Sequence, residues 1–267
     1  GDTVRVGVLG GRADDAAAVR WLWPADSKGA WTQNEPRMLR PERLRVEDIE
    51  QALQREEVLP EALELSFEED PAATLPPPRV DLVLAPPPPD RLRRLLQQIV
   101  QLGVGTLVIC DAAGINRRTL SVDWLRQPEA LRELLVRSLT QSGDTSVPEV
   151  TVAHRLRPLL LDGGLDELLP PGPALRLFAS SKGRRISELP RPAAAGPEEG
   201  GGGPPPRIVL AVGPDGGWRE PDETDMLEQA GFVPVNVGGP RALSTDVQAM
   251  AAVALAASAV RRWDADS

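Results

Sequence analysis

The sequence predicts an α/β protein, a mostly parallel sheet with packed helices, preceded by a small β-rich unit. Three observations carry this. From Arg79 onward, apolar runs of strand length alternate with amphipathic runs of helix length. Two of the strands end in glycine turns, at Gly213–Trp218 and Gly238–Pro240. The first 75 residues instead carry short alternating runs, beginning with Thr3–Leu9.

The elements follow in chain order. Thr3–Leu9 reads as a strand closed by Gly10-Gly11, and Arg12–Trp23 as a second strand before Pro24. Residues 25–58 form an insertion, polar at first and then helical in spacing through Leu44, Ile49 and Leu53. Ala62–Phe67 is a further strand. The β-rich unit is thus expected to span 1–75, and the second domain 76–267. That domain opens with the apolar strand Val80–Ala85, closed by four prolines. Asp90 is placed to cap a helix reaching Leu102, with Leu92, Leu95, Leu96, Ile99 and Val100 inward and Gly103 ending it. Thr106–Cys110 is a strand. Pro128–Gln141 is a helix burying Leu131, Leu134, Leu135 and Leu139. A strand at Pro148–Ala153, a helical segment at 158–169 and a strand at Ala174–Ser180 come next. Residues 190–206 are a low-complexity loop of Pro, Ala and Gly inside the second domain. The strand Arg207–Val212, the helix Asp222–Ala230, the strand Phe232–Val237 and a long Ala-rich helix to Arg262 complete the chain. Ser244 or Thr245 is placed to cap that last helix.

Composition removes several chemistries. The 267 residues contain one cysteine and one histidine, so no intramolecular disulfide, cysteine-based zinc site or H-E-x-x-H pair can form within the chain. No metal is expected. No run approaches about 20 apolar residues, so no membrane helix is expected. The net charge of −9 argues against non-specific coating of nucleic acid. There is no G-x-G-x-x-G and no G-K-[ST]. On their own, the two glycine turns read as tight turns of an α/β protein, or as a site for some nucleotide.

The order and spacing of the last segment are more specific. VGPDGGWREPDETDMLEQAGFVPVNVGGPRALSTDVQAMAAVALA resembles the C-terminal signature of the small-subunit ribosomal RNA uridine-N3 methyltransferase family of the SPOUT superfamily. That signature runs I-G-P-E-G-G-F, an acidic helix start, G-F-x-x-x-x-L-G, then R-I-L-R-x-E-T-A. LRRLLQQIVQLGV at 92–104 resembles the family's helix ending in E-L-G-V. SLTQSGDTSVPEV at 138–150 resembles its E-Q-x-x-D-T-x-x-P-E-V stretch, and GDTVRVG at 1–7 its N-terminal G-D-x-L-R-V-G. The likeness is strong from about residue 79 and thin across 12–75.

The resemblance implies a trefoil-knotted, mostly parallel sheet with helices on both faces, preceded by a PUA-like β-barrel. It implies S-adenosylmethionine as cofactor, held by three loops. These supply Ala179, then Val212, Gly213, Pro214, Asp215, Gly216 and Gly217, then Val237, Gly238 and Leu243. The implied reaction is methyl transfer to N3 of a uridine in small-subunit rRNA, with Arg241, Ser244 and Asp246 at the catalytic positions. Arg117 and Arg118 match a basic loop facing RNA, and Arg155 is a further RNA candidate. A homodimer through the knotted domain is implied, as is action in the cytoplasm, or in a mitochondrion or plastid if a targeting segment has been removed.

The chain also departs from the pattern. Ser244 stands where the motif has its second arginine, Asp246 shortens the glutamate, and Asp215 replaces another glutamate. The lost arginine, together with the acidic balance and the insertion at 25–58, supports a second reading, a methyltransferase-like ribosome-assembly or scaffolding factor without turnover. His154 reads as a surface histidine, Cys110 as a buried small hydrophobe, and Asp144 as a residue fixing local structure. Trp218 is the one tryptophan placed near a ligand. The clusters Arg91, Arg93, Arg94 and Lys182, Arg184, Arg185 read as solvated faces or phosphate contacts.

Overall fold

The computed structural model describes residues 6–7, 13–14, 18–22, 62–66, 75–189 and 204–265. The expected helix and insertion within 25–58 and most of the loop at 190–206 lie outside these. The chain divides into two compact units, Gly1–Leu75 and Pro76–Ser267. In the first, β1 (Val6–Gly7) pairs antiparallel with β2 (Ala13–Asp14), and β3 (Ala18–Leu22) pairs antiparallel with β4 (Ala62–Ser66). The described parts of the expected strand Arg12–Trp23 are therefore β2 and β3, with different partners.

The second unit holds a six-stranded sheet in which every adjacent pair is parallel. Its strands are β5 (Val80–Leu84), β6 (Val104–Cys110), β7 (Glu149–Ala153), β8 (Ala174–Arg185), β9 (Arg207–Val212) and β10 (Val233–Asn236), in the order β10-β8-β9-β5-β6-β7. The helices are α1 (Pro89–Ile99), α2 (Asp123–Arg126), α3 (Pro128–Ser142), α4 (Leu156–Leu161), α5 (Gly164–Leu168), α6 (Asp222–Gln229) and α7 (Thr245–Ala265).

Strand periodicity sorts the core onto two faces. Leu82, Leu84, Leu107, Ile109, Ile208, Leu210 and Val212 point to one face, covered by α1, α3 and α7. Val83, Val108, Cys110, Val209 and Ala211 point to the other, covered by α4, α5 and α6. The inward leucines expected on α1 and α3 are all buried. Cys110 is fully buried, and burial raises its thiol far above the usual range, which leaves it chemically inert.

One charged pair lies within the sheet. Arg207 donates from Nε and Nη2 to Asp81 at 2.7 and 2.8 Å, and the Thr106 amide donates to Asp81 Oδ1 at 2.9 Å. The pair ties β9, β5 and β6 together with Asp81 wholly buried. Removing one partner of such a pair costs about 3–5 kcal/mol.

Some local expectations are corrected. Helix α1 starts at Pro89, so Asp90 lies in the first turn and does not cap it; proline suits that position because the first amide has no helical acceptor. The segment 158–169 is two short helices broken at Gly163, whose φ is 85°. Thr245 is already helical and its hydroxyl turns away from its own helix, to the Gly213 carbonyl at 3.1 Å. Strand β8 runs five residues beyond Ser180.

Candidate active site

The extra length of β8 shapes the site. Pro234 of β10 pairs with Phe178, yet Val235 pairs with Arg184. Residues 179–183 therefore loop out of the ladder at the C-terminal edge of the sheet. Gly183 allows the strand to rejoin. A Cβ there would lie 2.3 Å from the Pro234 carbonyl and the Val235 nitrogen, so only glycine fits this approach.

Two further loops face this bulge. The turn after β9 closes with the Gly217 amide donating to the Pro214 carbonyl at 2.8 Å. Gly216 and Gly217 take φ of 99° and 84°, the left-handed region that glycine enters without strain. After β10, Asn236 Oδ1 accepts the Gly239 amide at 2.7 Å, while its Nδ2 donates to the Ser181 carbonyl at 3.0 Å. Asn236 thus fastens the third loop to the first.

The three loops enclose a cavity of about 190 Å³. Ala179, Gly216, Gly217, Val237, Gly238, Arg241 and Leu243, all sequence candidates, line it. Gly239 and Ala242, within the expected third loop, also line it, and so do Ser180, Ser181, Asn236 and Gln248, which were not named as site candidates. A wider cavity of about 620 Å³, walled by Arg184, Arg185 and Leu255, shares Asn236, Val237 and Gly239 with it. The lining of the smaller cavity holds no carboxylate, histidine or cysteine. It offers exposed backbone edges, small apolar side chains and one guanidinium, a surface suited to a flat heterocycle.

Val212, Gly213 and Pro214 are buried behind this wall. Asp215 turns from the cavity toward α1 and α7. It accepts the Thr245 amide at 2.9 Å and the Thr245 hydroxyl at 3.1 Å. Arg91 of α1 donates to Asp215 Oδ2 at 2.7 Å, and its other terminal nitrogen donates to Asp246. The Asp215 carboxyl is held below its ordinary pKa by Arg91 first and the Thr245 amide second. That of Asp246 is lowered by the Ser244 hydroxyl first, with Arg91 contributing. The Arg91 guanidinium is raised, chiefly by Asp215 and then by Asp246.

Ser244 and Asp246 do not line the cavity; they stand behind it at the start of α7. Arg91 is the residue of this cluster that the motif reading did not place here. Its charge was visible in the sequence, but not its reach across 124 and 155 positions. Asn236 carried a clearer signal, an Asn before a glycine turn.

Arg117, Arg118 and Arg155 lie apart from the cavity lining. Arg117 pairs with Asp111 at 3.1 Å and is 84% exposed, while Arg155 is also exposed. Trp218 is a correction. It is buried in the core on the α4–α6 face, under Gly213, and does not line the cavity. His154 is exposed, and Asp144 accepts the Ser146 amide at 2.9 Å, as a residue fixing local structure does. Among the described residues no cluster of His, Cys, Asp or Glu could hold a metal, and no helix is long and apolar enough to cross a membrane.

Residues 74–257 match the RNA methyltransferase domain family. The ribosomal RNA small subunit methyltransferase E of Treponema pallidum is 26% identical over 182 residues, which cover 68% of this chain; the chain spans 63% of that relative's length. The crystal structure of a ribosomal RNA small subunit methyltransferase E from Neisseria gonorrhoeae, bound to S-adenosyl methionine, superposes with a TM-score of 0.54 at 26% identity, covering 70% of this chain and 68% of that one. A Legionella pneumophila protein assigned as a methyltransferase, in complex with the same cofactor, superposes with a TM-score of 0.52 at 19% identity, covering 68% and 67%. The second likeness speaks for the fold alone.

Proposed function

The chain belongs to the RNA methyltransferase domain family, and from that premise we infer that it is an S-adenosylmethionine-dependent methyltransferase of ribosomal RNA, with N3 of a uridine in the small subunit as its target. The observation that carries this reading is the convergence of three loops, distant in sequence, on one backbone-lined cavity. The residues present fit the cofactor. The Cβ positions of Gly216 and Gly217 face open space, so the turn leaves room that a side chain would take. Ala179, Val237 and Leu243 supply apolar contact for a flat ring, and the loop backbones supply donors and acceptors for its edge.

When bound, S-adenosylmethionine supplies an activated methyl group. The chain's own work is to bind, orient and stabilise. Uridine N3 is an unreactive nucleophile until it loses its proton, which passes to solvent because the lining offers no side-chain base, and the negative charge then spreads onto the flanking carbonyl oxygens. Arg241, in the cavity wall, is the cation available to those oxygens. Arg117, Arg118 and Arg155 are assigned to the RNA backbone, where exposed guanidinium groups position the substrate without reading its sequence. Unit 1–75 is assigned as a PUA-like domain, and the knot belongs to the same reading, which follows from the family. A homodimer through α7 completes it. That helix leaves Val247 and Leu255 exposed at 44% and 38%.

The scaffolding alternative rests on the eroded motif at 243–248, the missing arginine at 244 foremost, together with the acidic balance and the insertion at 25–58. Arg91 supplies a cation beside position 244, which favours a working enzyme. Calorimetric titration with S-adenosylmethionine tests the cofactor. Saturable binding is expected, and none at millimolar cofactor would overturn the reading. Incubating small-subunit particles with methyl-labelled cofactor, then digesting to nucleosides, tests the reaction. Label in 3-methyluridine is expected. Binding without label would return the assembly-factor reading, and label in another nucleoside would change the target.

A further inference from the structure

We propose that Arg91 is a positioning residue for the cofactor site, a clamp from α1 that holds the Gly213–Gly217 turn against the start of α7 and stands in for a cation absent at Ser244. This deepens the methyltransferase reading and rests on it.

Asp215 immediately precedes Gly216 and Gly217, both in the cavity wall. Its carboxylate is held from two sides, by Arg91 at 2.7 Å and by the amide and hydroxyl of Thr245. Thr245 is fully buried, and its hydroxyl, with one proton to donate, lies between the Asp215 carboxylate and the Gly213 carbonyl, 3.1 Å from each oxygen, so the turn and α7 are already in contact. Arg91 adds the outer half of the clamp by spanning Asp215 and Asp246 together. Without it, two carboxylates would face each other across the turn and α7. Repulsion between them would displace Asp215, and Gly216 with it, from the position the clamp holds.

The magnitude separates a stability role from a positioning role. The side chain of Arg91 is 36% exposed, that of Asp215 49% and that of Asp246 30%. Ion pairs as open as these add little to global stability. What they set is local geometry, and a site made of turn backbone is sensitive to displacements of about 1 Å. Ser244 bears on the same carboxylate, because its hydroxyl hydrogen-bonds Asp246. A guanidinium at position 244 would bring positive charge to the same carboxylate, which makes the two positions exchangeable as sources of charge.

The test uses the full chain. Arg91→Met keeps the stem of the side chain and removes the charge. Its dissociation constant for S-adenosylmethionine is expected to rise roughly tenfold by calorimetry, with the melting temperature of the free protein nearly unchanged. In the methylation assay the KM for the cofactor should rise by a similar factor while kcat changes less. Arg91→Lys should recover part of the affinity, and the double variant Arg91→Met, Ser244→Arg most of it. Unchanged affinity in Arg91→Met overturns the proposal. So does a loss that neither Arg91→Lys nor Ser244→Arg repairs, since the missing element would then be packing and not charge. If the unaltered protein fails to bind the cofactor, the methyltransferase reading falls first and takes this inference with it.

Discussion

Gly216 carries a requirement set by conformation and not by space. Its φ of 99° is a conformation that a β-branched residue enters only with strain of about 1–2 kcal/mol. Its Cβ position meets nothing within 4 Å, so a side chain there would stand in open space beside the cavity. Gly216→Val is therefore expected to weaken S-adenosylmethionine binding by more than about tenfold while the protein remains folded. Calorimetry on the folded variant checks this, and unchanged affinity would show that this turn is not the binding site. Asp215, its neighbour, works through contacts with Arg91 and Thr245 and so belongs to the support of the turn rather than to its surface.

At the scale of elements, the decisive feature is the break in pairing between β8 and β10. A continuous ladder would leave no bulge, and the wall formed by Ala179, Ser180 and Ser181 would be part of the sheet. Gly183 is where the bulge rejoins. The obstruction facing it is backbone, which cannot rotate aside as a side chain tip can. Gly183→Val should force β10 from β8 at a cost of about 2 kcal/mol or more, lowering the melting temperature by at least about 4 °C and weakening cofactor binding together with it. Thermal denaturation followed by circular dichroism reads the first effect. A variant as stable as the parent would mean that the loop absorbs the side chain by moving.

The whole molecule brings in the outer face of α7. One side of this helix buries Ala249, Ala252, Val253, Ala256 and Val260 against the sheet. The other presents Val247, Ala254 and Leu255 to solvent, a stripe at helical spacing. Leu255 also walls the wider cavity. The proposed homodimer would cover this stripe. Sedimentation at micromolar concentration should give a dimer for the parent chain and a monomer for Leu255→Arg, whose charge would be buried without a partner in such an interface. A monomeric parent chain would remove the dimer from the reading and leave the cofactor cavity untouched.

Much of the second unit is legible in the sequence. The alternation of Leu82, Val83 and Leu84, or of Ile208, Val209 and Leu210, puts apolar residues on both faces of each strand, and such strands need helices on both sides. The leucine spacing of α1 and α3 located their buried faces for the same reason, since periodicity is a local property of the chain. The glycines at 216, 217 and 238 were legible because a turn that must avoid side chains announces itself locally. The rest depends on distance in space. No local pattern says that residues 179–183 leave the ladder, because that follows from where β10 pairs. Trp218 sits next to the glycine turn in sequence yet packs into the core, because the turn reverses the chain beneath Gly213. Arg91 looked like one more arginine on a basic helix. Its partners lie beyond position 200, and only the packing of α1 beside α7 brings a guanidinium to the two aspartates. Periodicity and turn chemistry are written in neighbouring residues, whereas charge pairing across a fold is decided by which elements the hydrophobic core brings side by side.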